Sequence, residues 1–429
     1  MARLEQIRYT ASGVAVESGA LQRKKVGEEC VLGRLPQVVW QNGAPWREAN
    51  LWAYQRNMDR TVDVKTIFSQ IGSLVYYANW LEAVGAKWWD FPVRKDQRCL
   101  IRFRGELIKN RTDGKLSPST ATKRMRDVIA FYRWLDASKL LVPEWPMWTE
   151  KQTAIVIQNQ YGFSRTMKIP TTDLAIKNRT RPGERLEDGL LPVSASDRDV
   201  ILRFAQQHAS QELYLLLTLG FYSGMRIGSL SDLKIGTLTN AIPDPAAPGL
   251  YRLTIGPGAA PQVSTKYNVT GQVWITSAHL KTLTEYFYSA RRLLREAKAA
   301  YIHKELIFLT RFGNPYHKAN GAQSSAINVE MHALRKKALY RNVPALFDFH
   351  FHQSRCTFAT ELAKLLMPMA GPINAIAIIK DALLHSNEST TLKYIKFIEK
   401  TPAKIAFANE FTTSFLGIHK NLKGPNDDA

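Results

Sequence analysis

Between residues 161 and 192 the chain reads YGFSRTMKIPTTDLAIKNRTRPGERLEDGLLP, a polar run broken by Pro and Gly. Such a run reads as an interdomain linker. It obliges the chain to build a separate core on each side. The length agrees, since 429 residues exceed what one ordinary core serves. Apolar residues are 45% of the chain, enough to fill such cores.

The block before the linker, residues 61–160, is patterned for helices. TIFSQIGSLVYYANWLEAVG places apolar residues at a spacing of three and four. A second helix is expected from Lys95 through Lys109. The third, in SPSTATKRMRDVIAFYRWLDASKLL, opens at Ser117-Pro118 or Ser119, where a hydroxyl caps and Pro suits the first turn. Its apolar stripe is Val128, Phe131, Tyr132 and Leu135. Residues 1–60 carry short β-like pieces, ECVLG and QVVW, with Trp40, Trp46 and Trp52. They read as a packed appendage, either a plain extension or a DNA-contacting arm.

After the linker, residues 193–415 read as a second, mixed domain. SASDRDVILRFAQQ begins a helix capped by Ser194 or Ser196. QELYLLLTLGFYSG is apolar on several faces and is expected to be buried. LYRLTIG and QVWIT read as strands around a turn holding Lys266, and LIFLT as a further short strand. HLKTLTEYFYSARRLLREAKAAY and the following segments are helical. KIAFANEFTTSFLGI is amphipathic, suited to docking on a neighbouring copy or on its own subunit. Residues 416–429 form a tail. The sum is a mainly α chain with a small β-sheet.

Lys and Arg outnumber Asp and Glu by 58 to 37, giving a net charge of +21, which points to a polyanion as partner, nucleic acid first. The excess is local as well. From Arg94 to Arg126 eleven basic residues face three acidic ones. Arg94, Lys95, Arg98, Arg102, Arg104, Lys115, Lys123, Arg124 and Arg126 are the candidates for tracking a phosphate backbone, against the plain alternative of a solvated charged face. Cys30, Cys99 and Cys356 stand far apart and form no CxxC pair, which fits a reducing compartment and argues against a zinc or disulfide framework. The N-terminus lacks a signal-peptide core, and the longest apolar stretch, around Leu213 to Tyr222, is shorter than the roughly 20 residues of a membrane span. A soluble protein with no membrane partner is expected.

Six residues in the second domain carry chemistry. Arg226 lies in FYSGMRIGSL, Lys266 in VSTKYNVTGQVWIT, His352 and Arg355 in FHFHQSRCTFATELA, and His385 and Tyr394 in ALLHSNESTTLKYI. Arginines can fork onto phosphate oxygens and a tyrosine can attack phosphorus. In a helix, His352 and Arg355 share a face and reach one group. Taken singly, each has a blander reading: a helix-cap arginine, a structural HxxR pair, an exposed turn lysine, a core tyrosine.

Together these segments resemble the tyrosine recombinases, the phage integrase family, over roughly residues 60 to 415. SGMRIGSL is similar to the family's first arginine box, with Ser229 where an acid is usual, so the support of Arg226 is expected from elsewhere, Asp232 being the candidate. HQSRCTFATELA is similar to the second box, with Cys356 at a place often held by histidine, read as a packing variation. LLHSNESTTLKY is similar to the segment that ends in the nucleophile, nine residues after its histidine, with Leu384 in place of a glycine. Lys266 matches the family's hairpin lysine by position.

The resemblance implies a helical, SAM-like core-binding domain followed by a mixed α/β catalytic domain. It implies a site-specific DNA recombinase serving a mobile element. Arg226, Arg355 and His385 would hold the phosphate, Tyr394 would attack it, His352 would take the phenol proton, and Lys266 would protonate the leaving oxygen. It implies no metal and no cofactor. Double-stranded DNA is the implied partner, with a tetramer on two sites, room for accessory DNA-bending proteins, and a bacterial, nucleoid-associated cytoplasmic location. Two other readings share these residues: a type IB topoisomerase and a non-catalytic DNA-binding protein of the same fold.

Overall fold

The structure is a computed structural model that describes residues 1–10, 12–17, 20–25, 31–59, 62–158, 164–178, 186–316 and 325–400. The chain divides into two compact units, the boundary falling between Pro182 and Gly183.

The first unit is built on helices α1 (Arg47–Met58), α2 (Val64–Val84), α3 (Cys99–Thr112) and α4 (Pro118–Ala137). Helix α4 begins as its sequence demands: Ser117 Oγ accepts from the Thr120 N–H at 3.2 Å and Pro118 fills the first turn. Val128, Phe131, Tyr132 and Leu135 are fully buried, so the apolar stripe faces the core. Helix α3 starts at Cys99 instead of Lys95, because Arg98 adopts an extended backbone and ends the preceding 3-10 turn, Lys95–Gln97.

The N-terminal residues share this core. Strand β1 (Arg3–Thr10) pairs antiparallel with β4 (Val31–Val39), and β2 (Ser12–Glu17) pairs with β3 (Ala20–Lys25). Leu35, Val38, Trp46 and Trp52 join Ile71, Tyr77 and Phe131 in one cluster. Through these residues the described part of the first sixty residues packs into the same core as the helices. Trp46 sets its ring edge-on to Phe131, 5.4 Å between centroids.

Much of the expected linker is ordered structure. Strand β5 (Glu150–Gln158) pairs with β6 (Ser164–Thr172), from Glu150↔Thr172 to Gln158↔Ser164. In a two-stranded ribbon every strand is an edge, so Pro170 is tolerated. Leu174 and Ile176 then pack into the first unit's core.

The second unit holds α5 (Ala195–His208), α6 (Gln211–Ser223), α7 (Ile227–Ser231), α8 (Ile235–Thr239), α9 (Ser277–Phe287), α10 (Ala290–Glu296), α11 (Ser325–Tyr340) and α12 (Gln353–Leu383), then a helical segment, residues 388–400. A three-stranded antiparallel sheet, β7 (Ile242–Pro243), β8 (Leu250–Ile255) and β9 (Gly271–Thr276), lies in the order β7-β8-β9. Ser194 caps α5, its Oγ accepting from the Asp197 N–H at 3.0 Å. Helix α6 is buried along most of its length, as its apolar sequence requires. The segment LIFLT is buried but makes only isolated bridges, Lys234↔Leu306 and Leu309↔Pro315. Residues 401–429, which include the amphipathic C-terminal segment and the tail, lie outside the described residues.

Helix α12 is long and apolar enough to cross a membrane by length and composition, which the sequence reading did not find. It is broken at Gly371 (φ 71°) between Pro368 and Pro372, and its first turns bury Arg355 beside α6.

Candidate active site

Helix α6 ends at Gly224, whose left-handed backbone (φ 64°, ψ 8°) turns the chain so that Arg226 follows in extended form. A side chain at Gly224 would meet Phe358 Cδ1 at 2.4 Å, so the helix end is pressed against α12. Arg355 lies one turn before Phe358 on α12 and is only 2% exposed. Its Nη1 donates to the Gly224 carbonyl at 2.6 Å and its Nη2 to the Leu383 carbonyl at 2.8 Å. One guanidinium thus ties the end of α6 to the end of α12.

Leu384 follows α12 in the left-handed region (φ 51°, ψ 50°), the conformation a glycine would take without strain. The next residue, His385, is 5% exposed. Asn387 Oδ1 accepts from the Ser389 N–H at 2.9 Å at the start of the segment carrying Tyr394. Thr391 is fully buried, and its Oγ1 lies 2.9 Å from His385 Nδ1. The rings of His385 and Tyr394 stack at 6.2 Å with 11° between planes. Tyr394 is fully buried.

Four of the six expected residues converge on a seventh that the sequence reading left inside the linker. Glu187 opens a one-turn 3-10 helix, Glu187–Gly189. Arg226 Nη2 donates to Glu187 Oε1 at 2.5 Å, and Arg355 Nε to Oε2 at 2.9 Å. His385 Nε2 lies 3.2 Å and the Tyr394 hydroxyl 3.4 Å from the same Oε2. An ionised carboxylate only accepts, so Nε2 carries the His385 proton and Nδ1 accepts from Thr391.

The charges follow. Burial alone would raise the Glu187 carboxyl, but the His385 hydrogen bond and the Arg355 and Arg226 charges hold it well below its ordinary range. Burial lowers Arg355 and His385 from their ordinary values. Burial, reinforced by Cys356 and Glu187, pushes the Tyr394 phenol far above its ordinary value of 10.0.

Lys266 begins a short turn, Lys266–Asn268, between β8 and β9. It is exposed, with Nζ 5.4 Å from the Tyr267 ring centroid. Lys266, Arg226 and Arg355 line one small cavity of about 10 Å³. Ser229 Oγ donates to the Ser264 carbonyl at 2.7 Å, and Asp232 Oδ2 accepts from the Ser264 N–H at 2.7 Å. Both residues therefore hold the loop that leads to Lys266. The expectation that Asp232 supports Arg226 is corrected: Glu187 is the acid paired with that arginine. His352 stands half-buried at the N-cap of α12, one turn before Arg355.

The sequence held one faint signal for Glu187. An arginine box lacking its usual acid at Ser229 needs a carboxylate from another segment. Nothing in LEDGL itself marks which one.

In the first unit the basic candidates separate by exposure. Arg94, Lys95, Arg102, Lys115 and Arg126 are exposed. Arg104 is half-buried. Lys123 is also half-buried and pairs with Asp127. Arg124 lies over the Tyr76 ring, 3.5 Å from its centroid. Arg98 is buried, donating to the carbonyls of Pro92 at 2.9 Å, Val93 at 3.1 Å and Pro146 at 2.6 Å. Its reading as a DNA contact is corrected: it is a structural tie, because a guanidinium can satisfy several main-chain carbonyls at once.

No family model and no curated protein matches the sequence. Among solved structures, the chain is similar to a Tn1549 transposon integrase variant in complex with a circular intermediate DNA, at 14% identity and a TM-score of 0.50, covering 81% of this chain and 94% of that one. The chain has the fold of the tyrosine recombinases. Similar structures also include the XerH site-specific recombinase bound to its difH substrate, at 14% identity and a TM-score of 0.48 over 80% of this chain and 79% of that one. A lambda integrase dimer bound to a core site is similar at 14% identity and a TM-score of 0.46, over 80% of this chain and 93% of that one.

Proposed function

We propose that this chain is a DNA recombinase that cuts and rejoins strands through a phosphotyrosyl intermediate. The observation that carries the reading is the convergence of Arg226, Arg355, His385 and Tyr394 on a single pair of anionic oxygens. Such a donor set suits a phosphodiester, whose two non-bridging oxygens need charged donors as negative charge builds in the transition state.

In the proposed reaction the Tyr394 oxygen attacks phosphorus and the bond to the 5′-oxygen breaks. The 3′-phosphate stays on the tyrosine, and a free 5′-hydroxyl leaves. The phenol proton passes to His352, and Lys266 supplies a proton to the departing 5′-oxygen. Arg226 and Arg355 neutralise the non-bridging oxygens, and His385 Nε2 adds a neutral donor. The bond energy is kept in the phosphotyrosyl link, so the strand can be resealed to a new partner without ATP. Double-stranded DNA is the proposed substrate, in keeping with the +21 net charge. The exposed Arg94, Lys95, Arg102, Lys115 and Arg126 are the proposed backbone contacts. Service to a mobile element, a tetramer on two sites and a bacterial cytoplasmic location belong to the same proposal.

The test uses supercoiled plasmids carrying one or two copies of the DNA that flanks the gene. A recombinase resolves or inverts the two-copy plasmid and leaves plasmid without these copies supercoiled. Relaxation of site-free plasmid with no exchange would make the chain a topoisomerase. Binding with neither outcome would make it a non-catalytic DNA-binding protein.

A further inference from the structure

The donors proposed to hold a scissile phosphate are already occupied. Glu187 takes Arg226 through one carboxylate oxygen, and takes Arg355, His385 and Tyr394 through the other. To these donors a carboxylate resembles a phosphodiester: one negative charge shared by two acceptor oxygens. Arg355 has committed both its Nη atoms to main-chain carbonyls, so Nε is the donor it turns to Glu187. Arg226 Nε is buried and has no hydrogen-bond partner among the described residues, a spare donor for a larger anion.

Space points the same way. The cavity beside Arg226, Lys266 and Arg355 measures about 10 Å³. That is about the space of one water molecule. Tyr394 is fully buried, and its phenol is held in the protonated form. With Glu187 in place, an entering phosphate would meet a carboxylate of its own sign among the donors meant to bind it.

The acid also stands on a detachable element. Glu187 belongs to neither α6 nor α12 but to a single 3-10 turn just past the boundary between the units. The turn is closed by three main-chain bonds, Leu186 N–H to the Leu190 carbonyl at 3.0 Å, Gly189 N–H to the Leu186 carbonyl at 3.2 Å and Leu190 N–H to the Glu187 carbonyl at 3.3 Å. Leu186 packs in the cluster with Ala359, Ile379 and Tyr394. Release of this turn takes Leu186 out of that cluster but breaks no α-helix and no strand of the sheet.

We propose that Glu187 is an internal phosphate mimic that keeps the DNA-free site closed and is displaced by the incoming phosphodiester. The proposal rests on the reading of this site as a phosphodiester site. It makes strand cleavage conditional on DNA seated well enough to expel the 186–190 turn. The opposing account is a permanent acid that positions the arginines and stays during the reaction.

The experiment titrates inorganic phosphate into the full-length chain by calorimetry, in a low-salt chloride buffer. Glu187→Gln keeps the size of the side chain and removes its charge. A latch closed nine-tenths of the time weakens phosphate binding about tenfold. Glu187→Gln should therefore bind phosphate at least about tenfold more tightly than the wild type. Glu187→Asp, which keeps the charge on a shorter arm, should fall between them. Unchanged or weaker phosphate binding in a folded Glu187→Gln overturns the proposal and makes Glu187 a permanent support. If that variant does not fold, the wild type decides. Amide exchange at Leu186 and Leu190 should rise when phosphate saturates the chain, and unchanged exchange overturns the proposal. The two readings fail separately. A wild type that forms a tyrosyl adduct with DNA while Glu187→Gln gains no phosphate affinity sinks the latch alone. Tight phosphate binding by Glu187→Gln with no DNA cleavage by any form sinks the recombinase alone.

Discussion

Arg355→Ala and Arg226→Ala should both slow strand cleavage severely, yet they should differ sharply in what they do to folding. Arg355 is 2% exposed and makes three hydrogen bonds, to Glu187, Gly224 and Leu383. Removing one partner of a buried ion pair costs about 3–5 kcal/mol, because the other charge is left behind. Two main-chain carbonyls also lose their donor, though water entering the void can serve them in part. A loss of about 4 kcal/mol is expected, a large share of the roughly 5–15 kcal/mol that holds a domain. The Arg226 side chain is 18% exposed and makes one bond, to Glu187, which keeps Arg355 and His385 when it is gone. A single charged hydrogen bond is worth about 1.5–3 kcal/mol, less where water reaches it, so about 1–2 kcal/mol is expected. The assay is urea unfolding of the full chain, following the transition of the second unit. Two units need not unfold together, so each transition is fitted alone. With a slope near 2 kcal/mol per molar urea, Arg355→Ala should move that midpoint down by about 2 M and Arg226→Ala by less than about 1 M. Equal shifts, or a wild-type midpoint for Arg355→Ala, would refute the idea that Arg355 ties α6 to α12. The lost activity of Arg355→Ala must then be measured where the variant is still folded. There both variants should cleave about 100- to 1000-fold more slowly than wild type.

Three further outcomes follow from the same structure. Gly224→Ala puts a methyl group 2.4 Å from Phe358 at a positive φ, and thermal unfolding should show about 2–4 kcal/mol lost; a wild-type melting temperature would contradict the close approach. Replacing Arg102 and Arg126 together should flatten the salt dependence of DNA affinity by up to about 1.8 in log–log slope, whereas Arg98→Ala should leave the slope alone and destabilise the first unit; the reverse pattern would refute the division by exposure. Glu187 has a carboxyl held below its ordinary 4.5, so its stabilisation is full above that pH and is lost as pH falls toward the folded-state value; Glu187→Gln should show a flatter fall in melting temperature below about pH 4.5, and identical acid profiles would contradict the assignment.

The parts of this chain that were legible in its sequence are those governed by local rules. Ser117-Pro118 and Ser194 announce helix starts because capping involves residues three apart. The buried faces of α4 and α6 show as apolar spacing. Arg226, Arg355, His385 and Tyr394 could be picked out because each sits in a short motif, and the fold brings them together. Glu187 was not legible, because its partners lie between 39 and 207 residues away and LEDGL carries no motif of its own. Arg98 misled for the opposite reason. Its neighbours make a charged run, while its burial is decided by the carbonyls of Pro92, Val93 and Pro146. The β5–β6 ribbon was hidden by Pro170, which breaks a strand pattern in sequence but is accepted in a two-stranded edge.

The central claim is that Tyr394 becomes covalently joined to a DNA 3′-phosphate. It is tested most directly by mass spectrometry of the trapped product. The full chain is incubated with nicked duplexes tiling the DNA beside its gene, so that the short cleaved fragment diffuses away and the joined state persists. After digestion of protein and DNA, a nucleotide phosphate should be found on the peptide containing Tyr394. The adduct should be absent from Tyr394→Phe, which keeps the buried ring and lacks the hydroxyl 3.4 Å from Glu187. A phosphate adduct on another residue, or one that persists in Tyr394→Phe, would contradict the account.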